Sequence, residues 1–392
     1  MKSKLNKRFF PLYIAAFFQG LVFWYSIEKL FMTNTLGFKP QGIAVATIFV
    51  VVATLIFEIP AGVLADRWSR KGVLILSTLC LFISTIIGGL STSQWMYIVA
   101  VSFWGLFFAF FSGIYESVVY DTLLEEGGHS KQYERFLGKV VLYDSIGLVF
   151  GSLLSGVIAD RFGIRAPYFF TIPSALLCGL AICWFKEPLL HKQSQAASLY
   201  GHLKEMLHAI AKDPSVVAIL LPIAGAIMLA RVLIEFNQLY YIALIVPVLF
   251  FGPLNALVQS SIGLSGIVAG RSKGKVAYYV LLVLMFIGSF ALVTKTNAVV
   301  IVIGQVMVLT TSYALATIMQ GKLHGMLSSK MRAGASSAAN TLGQMMFVPI
   351  AYAFGFFTEH YSVFLASWMV VAIALVVAIG SFKHADRAEV KA

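Results

Sequence analysis

The sequence predicts an all-α integral membrane protein, with twelve transmembrane helices arranged as two pseudo-symmetric six-helix lobes. Three observations carry that expectation. Hydrophobic residues make up 59% of the chain and charged residues only 12%, far from the mixture of a water-soluble domain. Charge-free stretches recur at lengths near the ~20 residues that cross a bilayer as a helix. A short motif also closes apolar segments three times, at Gly62–Lys71, Gly156–Arg165 and Gly266–Lys275. The first and third copies stand about half a chain apart and the first and second about a quarter, as duplicated units would. The alternating pattern of an outer-membrane barrel is absent. Helices are then the way to satisfy the backbone in lipid.

The first span, 9–31, follows a basic amino terminus and imitates a secretory signal. Its apolar region is too long for one, and no small-residue cleavage site closes it. Five more spans follow at 42–65, 72–91, 95–120, 137–159 and 166–186. The connection 187–214 is the long one. Within it Leu199, Leu203, Met206, Leu207 and Ile210 recur at helical spacing among Lys204, Glu205 and Lys212, which predicts an amphipathic helix lying along the membrane surface. Spans 215–239, 243–265, 276–294, 297–320, 333–357 and 361–382 complete the chain. The expected domains are therefore a lobe at 1–186, a linker at 187–214 and a second lobe at 215–392. One chain encloses a full cavity on this plan, so a monomer is expected.

The net charge of +12 raises the possibility of nucleic acid as a partner, and its distribution rejects it. Of the 29 Lys and Arg, only Lys29, Lys39, Arg161, Arg165 and Lys295 fall on one face, and Arg231 falls inside a span. All the others sit at the amino terminus, in the even-to-odd loops or in the tail. That asymmetry puts both termini in the cytoplasm of a chain in the inner or plasma membrane. Cys80, Cys178 and Cys183 lie inside spans with no metal spacing and no disulfide framework, and read as small apolar fillers. No phosphate-binding Gly-x-x-x-x-Gly-Lys-Ser/Thr signature appears, so neither ATP nor any cofactor is expected. No constellation of an enzyme stands out.

The segment Glu58-Ile-Pro-Ala-Gly62-Val-Leu-Ala-Asp66-Arg67-Trp-Ser-Arg70-Lys71 resembles the loop 2–3 signature of the major facilitator superfamily. Gly62, Asp66, Arg67, Arg70 and Lys71 all match, while Ser69 replaces a usual Gly. The copy in loop 8–9 has Gly270 where the Asp would stand. Span count, central loop and duplication extend the resemblance over the whole chain, and its motif content is nearest to bacterial drug or solute proton antiporters. The resemblance implies a latch on the cytoplasmic side. Gly62 permits close helix approach. Asp66 accepts from the amino end of span 11, near Ala333–Ser336, where the helix dipole is positive. Arg70 meets an acid at the end of span 4, where Asp121 lies. In span 5, Gly147-Leu-Val-Phe-Gly151-Ser152-Leu-Leu-Ser155-Gly156 is similar to the family's antiporter motif, with Ser152 in place of its Pro.

Matched depth in the two duplicated spans 1 and 7 points to an outer gate. Glu28 and Arg231 each lie about 30 Å from the cytoplasmic boundary by helical rise. A Glu28–Arg231 pair is expected there, with Glu235 as i,i+4 neighbour of Arg231 and as partner for Lys29. Glu58, Glu116 and Asp144 lie inside spans of lobe one. An acid in hydrocarbon is costly and must face protein or water, be paired or hold a proton. Burial favours the protonated form, which suits a proton carrier. Glu116 is the first candidate for a proton or substrate site and Asp144 the second; Glu58, before Pro60, supports the latch. Gln19, Trp24, Tyr115, Asn237, Gln238, Gln305, Tyr313, Asn340 and Gln344 are expected to line a central cavity, which with 32 Phe suits an amphipathic substrate.

The function expected from these residues is alternating-access transport, with proton-coupled export of a small amphipathic compound preferred. Nutrient uptake or uniport, and lysolipid flipping, stand as alternatives. Partners are a small molecule, protons and the lipid bilayer.

Overall fold

The computed structural model describes residues 2–126, 132–188, 214–272, 274–327 and 329–385. The amphipathic helix expected within 187–214 lies outside the described residues. Helices α1 (Lys2–Gly20) and α2 (Glu28–Leu36) form the first span, joined through a 3₁₀ turn at Tyr25–Ile27. Spans two and three are α3 (Pro40–Arg67) and α4 (Arg70–Leu90), and the fourth is α5 (Gln94–Phe111) with α6 (Ile114–Glu125). Next come α7 (Tyr133–Phe162), α8 (Ala166–Trp184), α9 (Pro214–Ala243), α10 (Val248–Arg271), α11 (Gly274–Val293) and α12 (Ala298–Met326). The last spans are α13 (Ser329–His360) and α14 (Val363–Ala366) with α15 (Trp368–Ala385). Twelve stretches among the described residues are long and apolar enough to cross a membrane, which matches the expected span count. Several helices overrun the expected bounds. Hydropathy marks only the part inside hydrocarbon, while hydrogen bonding carries the helix on into the interface.

Three of the described spans consist of two helices each, and hydropathy did not reveal the breaks in spans one and four. Helix α1 stops at Gly20, and the chain turns at Leu21–Trp24 before it resumes. Helix α5 stops at Ser112, and Gly113 takes φ 72° before α6 starts. Only glycine holds that left-handed conformation without steric cost.

The chain divides into two compact units. One is Met1–Phe38, Ala46–Ala197 and Pro247–Ala256; the other is Lys39–Val45, Ser198–Val246 and Leu257–Ala392. The first turns of α10 thus belong with the first unit, and the start of α3 with the second. Glycine makes both exchanges possible. In the first unit, an added Cβ on Gly156 would stand 2.6 Å from the Val248 carbonyl oxygen, and one on Gly252 would overlap that of Ser152. Asn255 Nδ2 also donates to Ser26 Oγ at 2.9 Å. In the second unit, an added Cβ on Gly355 would stand 2.6 Å from that of Ala44, while Glu359 accepts from the Gln41 amide at 3.2 Å.

The same glycine ridge of α7 sets the central crossing of the first unit. Cβ atoms on Gly147 and Gly20 would overlap the carbonyl oxygens of Phe17 and Asp144. So part of the span 5 motif seats α1 and part seats α10. Leu5, Phe9, Leu12, Val118, Val119 and Phe136 pack beside this crossing into a core without water access. In the second unit α9 packs against α12, α13 and α15. Tyr241 donates to Gln305 Oε1 at 3.1 Å and Tyr240 shares a 2.6 Å hydrogen bond with Ser367, so these deep hydroxyls are satisfied.

Candidate functional site

At the face that carries the basic loops, Ser69 ends the turn between α3 and α4 and accepts from the Gly72 amide at 2.8 Å, a helix N-cap. Helix α4 then starts with Arg70 aimed back at its neighbours. Arg70 forms an ion pair with Asp121 on α6, donates to the Ser117 carbonyl at 3.1 Å and lies 3.7 Å from Asp66. The structure thus brings together Asp66, Arg70 and Asp121. Lys71 donates to the Cys183 carbonyl at 2.7 Å, while Arg67 is exposed. A Cβ on Gly62 meets no atom within 4 Å among the described residues. The start of span 11, which the resemblance implies for Asp66, belongs to the second unit.

Glu187 and a second group, Arg8 with Glu125 and Glu126, escaped sequence reading. Glu187 accepts from Ser69 Oγ at 2.7 Å and from the Lys71 amide at 3.1 Å, which places a carboxylate on the positive end of α4. Arg8 pairs with Glu125 at 3.1 Å and with Glu126. The signal was present: Glu125-Glu126 is an acidic pair in a chain with few acids, placed where span 4 ends.

Arg70 and Asp121 are both largely shielded, so their pairing outweighs a surface salt bridge. Removing either one leaves a partly buried charge without its partner, at a cost of about 2 kcal/mol. A double-mutant cycle with Arg70→Ala and Asp121→Ala, read by thermal unfolding in detergent, should give a coupling energy above about 1 kcal/mol. Additive losses would show that the two charges act independently.

The intramembrane acids differ sharply in their surroundings. Glu116 is exposed on α6. Glu58 is half-buried and accepts a long 3.4 Å hydrogen bond from Ser112 at the break in span 4. Asp144 is half-buried on α7, level with Gly20, which stands about 18 Å of helix above Arg8 and so near mid-membrane. Among the described residues Asp144 makes no hydrogen bond and no ion pair. It lies within electrostatic reach of Tyr115 on α6 and Cys178 on α8. The Tyr115 hydroxyl is itself buried without a partner, and so is that of Tyr13 on α1. The Tyr13 ring stacks on Tyr143 at 5.4 Å, next to the acid in sequence.

The residues proposed for the outer gate carry partners inside their own units. Glu28 is 5% exposed and accepts from Lys29 Nζ at 2.6 Å and from the Tyr97 hydroxyl at 3.0 Å. Tyr97 shares a 2.7 Å hydrogen bond with Tyr168, on which Trp24 stacks at 5.2 Å. Trp24 also donates to Thr85 at 3.3 Å. Arg231 lies 3.4 Å from Glu235 along α9. That helix continues to Ala243, about 18 Å beyond Arg231.

Among the remaining expected lining groups, Gln19, Asn237, Gln238 and Gln305 are buried and Asn340 is exposed. Tyr313 lies within electrostatic reach of Arg231 and Glu235. Gln344 is half-buried with its Oε1 lacking a donor.

A duplicated set of twelve membrane-length helices, with broken spans and ionisable groups inside the spans, is the architecture of a membrane transporter. The sequence matches the Major Facilitator Superfamily over residues 9–351, and the chain belongs to that family of transporters. It is similar to the Multidrug resistance protein MdtG of Citrobacter koseri, at 26% identity over 156 residues covering 40% of this chain and 36% of that protein. MdtG of Enterobacter lignolyticus is 29% identical over 148 residues, 38% of this chain and 32% of the relative. The matched part is thus about a third of these curated relatives' length. Among solved structures, the nucleoside transporter NupG superposes with a TM-score of 0.76 at 15% identity, covering 98% of this chain and 100% of that one. A bacterial homolog to the human lysosomal transporter Spinster, inward-facing and occupied, gives 0.74 at 13% identity over 99% of this chain and 97% of that one. These likenesses establish the fold.

Proposed function

We propose that the chain exports small amphipathic compounds in exchange for protons, with Asp144 as the group that takes up and releases the proton. One observation carries this reading: a carboxyl group near mid-membrane with no partner among the described residues, within electrostatic reach of an equally unpartnered tyrosine hydroxyl. An acid in that position is expensive unless it changes protonation state or meets a substrate during the cycle. The MdtG relatives are named for multidrug resistance, which supports outward transport. The basic loops orient the chain with both termini in the cytoplasm of the cell's inner membrane. There Asp66, Arg70 and Asp121 serve as the latch that holds one end of the cycle, and Glu28 serves the opposite mouth. The transporter works as a monomer.

Proteoliposomes with an internal pH-sensitive dye test this. Hydrophobic dyes and drugs added to the purified protein should drive proton movement opposite to their own. Substrate flux that leaves internal pH unchanged would reject proton exchange and leave a uniporter.

A further inference from the structure

The second unit holds an arginine where a helix protein rarely keeps one. Arg231 has about 18 Å of α9 on one side and about 26 Å on the other. Tyr313 and Gln344 stand near the middles of α12 and α13, which pack against α9 and against each other. Phe347, one turn from Gln344, presents its ring to the guanidinium at 5.7 Å from the centroid.

Arg231 is under-used for a half-buried guanidinium. Its group has five N–H donors in a fork that fits a planar oxyanion. Glu235 Oε1 stands 3.4 Å from one terminal nitrogen, along the same helix, and Arg231 Nε is buried with no acceptor. Gln344 Oε1 is buried with no donor, a few residues from the same ring. An unfilled donor and an unfilled acceptor at one depth describe a site for a group with both needs.

We propose that Arg231 binds an oxyanion of the transported molecule, a carboxylate or phosphate, while Gln344 accepts from an N–H or O–H it carries. The substrate class is therefore amphipathic acids. This rests on the reading of the chain as a transporter of amphipathic compounds, and adds the sign of the polar end. Neither neutral nor cationic compounds of equal shape gain from the guanidinium.

The test uses four probes with one aryl body: naphthoate, naphthyl phosphate, naphthamide and naphthylmethylammonium. Binding is read as thermal stabilisation of the purified full chain in detergent. No membrane or gradient is present, so a failure of proton coupling leaves this result unaffected. The two anions should raise Tm by several degrees more than the amide and the ammonium. Arg231→Gln should erase that difference, and Arg231→Lys should keep part of it, since a point charge lacks the fork. Equal shifts for all four probes in the wild type would overturn the proposal without any variant. So would an anion preference that survives in Arg231→Gln.

Discussion

Asp144→Asn should reduce proton-coupled transport to the level of empty liposomes while leaving the protein folded. The side chain keeps its shape and loses only the ability to ionise. Since the acid makes no hydrogen bond or ion pair among the described residues, its removal breaks nothing that holds the helices together. The loss of a shielded charge should raise stability, by about 1 kcal/mol, as is common where function keeps an unfavourable group. Tm unchanged or higher, with transport abolished, separates a working acid from a structural one. Glu116→Gln is the matched control: its side chain is exposed, and flux should stay within about twofold. A Glu116 variant that loses coupling while Asp144→Asn keeps it would reverse the assignment.

Gly147→Ala should be among the most destabilising single-methyl changes in the first unit. The added Cβ points at the Phe17 carbonyl oxygen, where backbone rather than a flexible side chain stands in its way. Helices α1 and α7 must part to admit it, which loses contact along the whole crossing and costs about 3 kcal/mol. Gly138→Ala on the same helix meets no atom within 4 Å. There the better helix propensity of alanine should stabilise by about 0.5–1 kcal/mol. Thermal unfolding of the two variants in detergent reads both signs at once. Equal effects would mean that the close α1–α7 approach does not contribute.

What the sequence could show follows from what hydrophobicity measures. Twelve spans were legible because every backbone in lipid must be helical and every span must exceed a minimum length. Arg70 and Asp121 were legible as partners because one opens a span and the other lies near the end of a span at the same face, in a chain poor in charge. The breaks at Leu21–Trp24 and Gly113 were not, since both are apolar enough to pass as continuous helix. Gly20 and the Ser112-Gly113 pair were the signals. Glu116 and Asp144 could not be told apart because both acids sit in apolar sequence; only the fold shows that one is exposed and the other half-buried within electrostatic reach of Tyr115 and Cys178. The length of α9 beyond Arg231 was not legible, because the helix extends past its apolar segment. Glu187 escaped notice because it lies just beyond a span, where a lone acid reads as solvated loop.

Leu148 lies one turn beyond Asp144 on the same face of α7, and a cysteine there reports access to the acid without altering it. With Cys80, Cys178 and Cys183 replaced, an impermeant maleimide is applied to right-side-out and inside-out vesicles. Alternating access predicts labelling from both sides, with a pH gradient or an added substrate raising one rate as it lowers the other. Labelling confined to one side under every condition would contradict the account.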